Sequence, residues 1–143
     1  CHFFNQQHPT YLRISAIARL RNRKDTVGMA LRRGRFFPRE TTFLDYGFWI
    51  HGPGELVAWS RIFLDQEVLV VFNPHGLEGR AAMVTVDARL HPEGATMRYL
   101  YRGDWSDTNQ QTPPTDKTVT VQTKAGRSVV KIELPPSGMA ILV

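Results

Sequence analysis

A single cysteine, Cys1, stands in the 143-residue chain, which excludes an internal disulfide and any cysteine-based metal site. Long apolar runs are missing too: no stretch approaches the ~20 residues of a membrane helix. No signal peptide opens the sequence. It begins with cysteine rather than methionine, so we expect it to start inside a longer chain, and its compartment is open. The five histidines (His2, His8, His51, His75 and His91) lack the HxH or HExxH spacing of a metal site. There is no GxGxxG, and "GRFFPRE" at 34–40 has too few glycines to cradle a phosphate. A Ser-His-Asp set can be assembled from Ser60, His51 and Asp45, but no nucleophile-elbow motif stands behind it.

The composition is that of a packed domain, 42% hydrophobic and 22% charged. The high pI of 9.8 invites a nucleic-acid reading, but the charge is unevenly spread. Residues 1–40 hold nine Arg or Lys against Asp25 and Glu40, a net of +7, whereas residues 41–143 net −2. Basic character therefore belongs to one segment, which reads as a solvated helix face. No basic-aromatic interleaving supports nucleic-acid binding.

"HPTYLRISAIARLRNRKD" (8–25) reads as a helix with Pro9 in its first turn. Ile14, Ile17 and Leu20 form a stripe with Leu12 and Ala16 flanking, while most arginines fall elsewhere on the wheel. "DTVGMALRRG" predicts a shorter helix, with Asp25 or Thr26 as N-cap and Gly34 beyond its end. From Arg35 onward, runs rich in β-branched and aromatic residues alternate with turn signals. Strands are expected near 42–50, 55–63, 67–73, 81–89, 96–102, 117–123, 128–134 and 138–143. The second and third should form a hairpin joined at Asp65-Gln66. "EVLVVFN" lacks alternation, as a central strand would. Val130, Ile132 and Leu134 alternate with Lys131 and Glu133, the pattern of antiparallel sheet with one wet face. The expected fold is an antiparallel Greek-key β-sandwich of about eight strands, preceded by one or two helices. Only "GDWSDTNQQTPPTD" (103–116) reads as a long polar connection.

The order of these segments resembles the C-terminal end of an α-amylase family (glycoside hydrolase family 13) enzyme. The resemblance is carried by "YLRISAIARLRNRK", by "MALRRGR", by "GFWI", and by the hairpin "ELVAWSRIFLDQEVLVVFN" at 55–73. Closing "LPPSGMAILV" is similar to the last strand of that family's domain C. The resemblance covers nearly the whole chain, is strongest over 27–73 and is weak over 74–127. It implies that residues 1–34 are a helical segment left from the end of a (β/α)8 barrel, and that 35–143 are the all-β C-terminal domain. It further implies a non-catalytic module that stabilises a barrel acting on α-glucosidic bonds of starch-like or oligosaccharide substrates. The missing barrel would be its partner, with no nucleic acid and no membrane.

Retaining glycoside hydrolysis needs two carboxyl groups roughly 5–5.5 Å apart. In the resembled family these lie upstream of the region matched, so no catalytic residue carries over. Pairs such as Asp65 with Glu67, or Asp104 with Asp107, read as turn residues. No metal ligand set and no cofactor are implied. Aromatic rings that could stack on sugar C–H faces are the remaining binding chemistry. The candidates are Trp105 in the polar connection, Trp49, and Tyr99 with Tyr101, expected on one strand face. Trp59 and Arg61 also share a strand face, suited to a junction or a cation–π contact. An autonomous carbohydrate-binding module for α-glucan is therefore the alternative. If the barrel is absent, the stripe of the first helix should fold onto the sandwich or mediate self-association.

Overall fold

A computed structural model describes residues 5–42, 47–50 and 55–143. Its first element is α1 (Pro9–Arg21), where the His8 ring accepts from the Thr10 amide at the N-cap. Its second is α2 (Thr26–Arg33), capped by the Asp25 carboxylate, which accepts from the Gly28 amide. Gly34 ends α2 because a Cβ there would come within 2.6 Å of the Ala30 carbonyl oxygen and 2.9 Å of that of Ile62. A tight exit from helix into strand follows.

Among the described residues eleven strands form two antiparallel sheets. They are β1 (Arg35–Arg39), β2 (Thr41–Thr42), β3 (Phe48–Trp49), β4 (Val57–Phe63), β5 (Gln66–Phe72) and β6 (Arg80–Thr85). β7 (Thr96–Arg102), β8 (Thr118–Thr120), β9 (Gln122–Lys124), β10 (Arg127–Leu134) and β11 (Met139–Leu142) follow. One sheet runs β1-β4-β5-β11-β7-β8 and the other β3-β2-β6-β10-β9. Chain-distant strands are neighbours, and consecutive ones such as β6 and β7 lie in different sheets, as in a Greek-key sandwich.

The strand count exceeds eight for local reasons. "RFFPR" is an edge strand, where Pro38 opposite Trp59 is tolerated. The expected strand at 42–50 is instead two short pieces that pair with each other, Thr41 opposite Trp49. That at 117–123 divides at Val121, sending β8 to one sheet and β9 to the other. The chain changes sheets in the same way at Glu40, between β1 and β2. Both flanks of the sandwich are thus crossed by continuous chain. The polar connection also holds a short helix, α3 (Asp107–Gln111), capped by Ser106.

The sandwich core lies between the sheets, around Leu69, Val71, Val84, Met97, Ile132 and Leu142. A second apolar layer, including Val68, Val70, Leu100, Tyr101 and Ile141, packs on the outer face of the six-stranded sheet beneath α1 and α2. β5 is therefore covered on both sides, which is why it does not alternate: Leu69 and Val71 face the other sheet, Val68 and Val70 the helices. Each such side chain contributes roughly 1.5–3 kcal/mol on burial. The helix stripe is shifted from its expected phase. Leu12, Ala16 and Leu20 are buried and Ile17 partly so, but Ile14 is 63% exposed. The β4–β5 turn is Leu64-Asp65, one residue earlier than expected, with Leu64 at φ 54°.

Candidate functional site

The outer face of the six-stranded sheet is only partly covered by helices. Trp59 stands opposite Val70 on β5 and Pro38 on β1, and Val70 in turn opposes Ile141 on β11, so these side chains share that face. Trp59, Val70 and Ile141, with Ile17 of α1, Leu31 of α2 and Met139, line a groove of about 420 Å³. Arg21 and Arg61 stand at its wall. Phe36, opposite Arg61 in register, extends the face to the sheet edge and is 56% exposed. The Nε of Arg61 is buried and has no hydrogen-bond partner among the described residues. A buried guanidinium N–H without an acceptor costs on the order of 1–3 kcal/mol.

On the other flank of α1 lies a cavity of about 190 Å³, formed by α1, β7 and the 105–113 segment. A β-bulge builds part of it. Leu142 pairs with Tyr99 but Ile141 with Tyr101, so Leu100 is an extra residue on β7. The bulge places Tyr99 in the core between the sheets and Tyr101 in the layer under the helices. The expectation that both share one face is thereby corrected. Tyr101 and Trp105 both line the cavity, joined by Gln110. The segment is stapled to α1 by arginines: Arg13 donates to Gly103 O (3.1 Å), and Arg19 to Gln110 O (2.6 Å). Basic charge in α1 is thus partly spent on the fold.

A third cluster is polar and buried between the sheets. Glu67 is fully enclosed. Its Oε1 accepts from Arg39 (2.6 Å) and from the Ser60 hydroxyl, and its Oε2 accepts from the Asp87 amide (3.0 Å). Arg39 Nε also donates to Ser60 Oγ (2.7 Å). His91 Nε2 lies 3.4 Å from Glu67 Oε2 but makes no hydrogen bond among the described residues. Burial holds the His91 pKa below the usual histidine value, against the pull of Glu67 and Asp87. The carboxylate is satisfied by three donors, so this cluster is a structural knot closed by the 86–91 loop.

The remaining sequence candidates lie apart. Trp49 sits on the edge strand β3 of the five-stranded sheet, 58% exposed. Tyr99 lies under the Arg102 guanidinium, 5.2 Å from its ring centroid, and burial raises its pKa. Asp65 lies in an exposed turn while Glu67 is enclosed, so they form no carboxylate pair. Asp104 is bound by Arg102 (2.9 Å), which lowers its pKa, and Asp107 by Arg13 (3.4 Å). His51 and Asp45, proposed as partners of Ser60, lie outside the described residues, as do His2 and Cys1. Among the described residues no cluster of three or more His, Cys, Asp or Glu could hold a metal ion, and no helix is long and apolar enough to cross a membrane. Sequence reading missed Gln110, Arg39 and His91. Only the presence of a polar residue in a β-rich run marked Glu67, and nothing marked the others.

Compared with known proteins, the chain matches no family model and no curated protein.

Proposed function

We propose that the chain is a non-catalytic β-sandwich module of an α-amylase-type glycoside hydrolase, seated on the catalytic barrel by the open part of its six-stranded sheet. The observation that carries this reading is the groove beside α1 and α2. It combines Trp59, Met139 and Ile141 with two arginines, and extends to the exposed Phe36. Aromatic and arginine side chains around an apolar centre are the composition of an interface anchor. The sequence resemblance supports a barrel as the partner, and the composition of the groove supports this face as the one that would meet it.

In this reading the module adds stability and the barrel supplies the chemistry. The test is the coding sequence in frame before the codon for Cys1. A run encoding about 250 residues, the length of a barrel, with carboxylates at strand ends, supports the reading. A start codon or signal peptide close by overturns it. In the whole chain, Trp59 and Phe36 should then be shielded from solvent, which hydroxyl-radical footprinting reads directly.

A further inference from the structure

The groove beside α1 and α2 holds two arginines that the fold leaves unpaired. The other arginines of α1 are bound within the chain, Arg13 by Gly103 O and Asp107, and Arg19 by Gln110 O. Arg32 of α2 donates to the carbonyl oxygens of Arg21 and Arg23, and Arg39 of β1 is held by Glu67 and Ser60. Arg21 and Arg61 line the groove, and among the described residues neither side chain has an ion pair or a hydrogen bond. Arg21 is exposed and Arg61 half-buried. Since the Nε of Arg61 is enclosed, its two terminal nitrogens are the part open to a partner.

The surroundings say which kind of partner. No carboxylate lines the groove. Two guanidinium groups beside the apolar surface of Trp59, Val70, Met139 and Ile141 set up a positive potential that no lining acid offsets. The helical segment adds to it, because residues 1–40 net +7. A neutral apolar surface seated here would desolvate both charges without compensation, which is costly. A basic surface would add repulsion. A carboxylate matches the guanidinium fork, and the pairing strengthens as water is excluded around it. What fits is an acidic residue set among apolar side chains.

We infer that the barrel surface seated in this groove presents an Asp or Glu carboxylate to Arg21 and Arg61, with apolar side chains beside it against Trp59 and Ile141. The inference rests on the docking reading above and adds the chemistry of the partner's contact.

The experiment uses the whole chain encoded in frame, carrying Arg21→Lys or Arg61→Lys and treated with a water-soluble carbodiimide. The reagent joins an amine to a carboxylate in contact with it and leaves guanidinium groups unreacted. Mass spectrometry of the digest should find an amide bond from position 21 or 61 to an Asp or Glu outside residues 1–143, absent from the unmodified chain. In parallel, Arg21→Glu and Arg61→Glu should raise hydroxyl-radical oxidation of Trp59 and Met139 severalfold. Lys24→Glu, an equal change of charge at an exposed position outside the groove, should leave it as it was. Arg21 is exposed, so its variants keep the test decisive if those of Arg61 fail to fold. With Trp59 shielded in the whole chain, the absence of such a bond from both positions, or charge reversal without effect, overturns the inference and leaves the docking reading standing. A bond only to an acid within residues 1–143 overturns it too, since the chain itself or a second copy then fills the groove. Trp59 exposed in the whole chain, or no barrel encoded before Cys1, overturns both.

Discussion

Ser60 and Glu67 face each other diagonally across the β4–β5 ladder, both turned inward, with the serine hydroxyl donating to the carboxylate. They are not register partners: Ser60 opposes Leu69 and Glu67 opposes Ile62. Arg39 on β1 donates to both, so three strands are tied at one buried carboxylate.

Breaking that tie should be expensive. Glu67→Gln leaves Arg39 short of its counter-charge in a site with almost no water, and a loss of ~3–5 kcal/mol is expected. Ser60→Ala removes one neutral donor and should cost only ~1–2 kcal/mol. Urea unfolding of both variants and of the double variant checks this. Strict additivity would show that the three groups do not act as a unit.

Histidine 91 gives the chain a pH response of defined sign. Its pKa is lowered in the folded state by burial, so the unfolded chain takes up the proton first. The stability it contributes is present above the unfolded value of about 6.5 and is lost as pH falls through and below that value. The unfolding midpoint should therefore drop between neutral and mildly acidic pH. In His91→Gln that part of the drop should disappear, which thermal melts across the range measure.

Much of the fold could be read from residue order. β5 was marked as central by its unbroken apolar run, and β10 by its alternation, because burial on two faces or one writes itself directly into the period. What stayed hidden depends on pairing between distant segments. Leu100 is a bulge residue only because β11 pairs with Tyr99 and Tyr101 around it, and no local pattern encodes that. Val121 looks like any buried strand residue, yet its amide and carbonyl bond to Ala95 and Gly94 while its neighbours join different sheets. "RFFPR" was not among the expected strands; a proline is tolerated in it because β1 lies at the edge of the sheet. In the cavity, Trp105 and Tyr101 were legible as aromatic candidates. Gln110 was not, since its role arises from the two carbonyls that orient it.

The β4–β5 turn contains a correctable strain. Leu64 holds φ 54° at a position 78% exposed, where its side chain gains little burial. Left-handed backbone costs a residue with a Cβ roughly 1–2 kcal/mol. Leu64→Gly should raise stability by ~0.5–1 kcal/mol after the glycine's own entropy is counted. A higher midpoint in chemical denaturation, with unchanged slope, is the expected result.

Arg61 should set stability against docking. Arg61→Leu removes the buried Nε that has no partner and should stabilise the separate chain by ~1 kcal/mol. On the docking reading, the same change should loosen the seat on the barrel and lower the melting temperature of the whole enzyme. Calorimetry of both forms separates the two effects.

Two stretches of backbone, at Glu40 and at Val121, pass from one sheet to the other on opposite sides of the sandwich. Neither sheet can peel away alone, because each hinge feeds strands into both. Tension applied to either sheet is transmitted to its partner through covalent bonds as well as through side-chain contacts. The sandwich should behave as one mechanical unit, giving a single rupture event under force. Amide exchange in β5 and in β10 should report the same opening free energy.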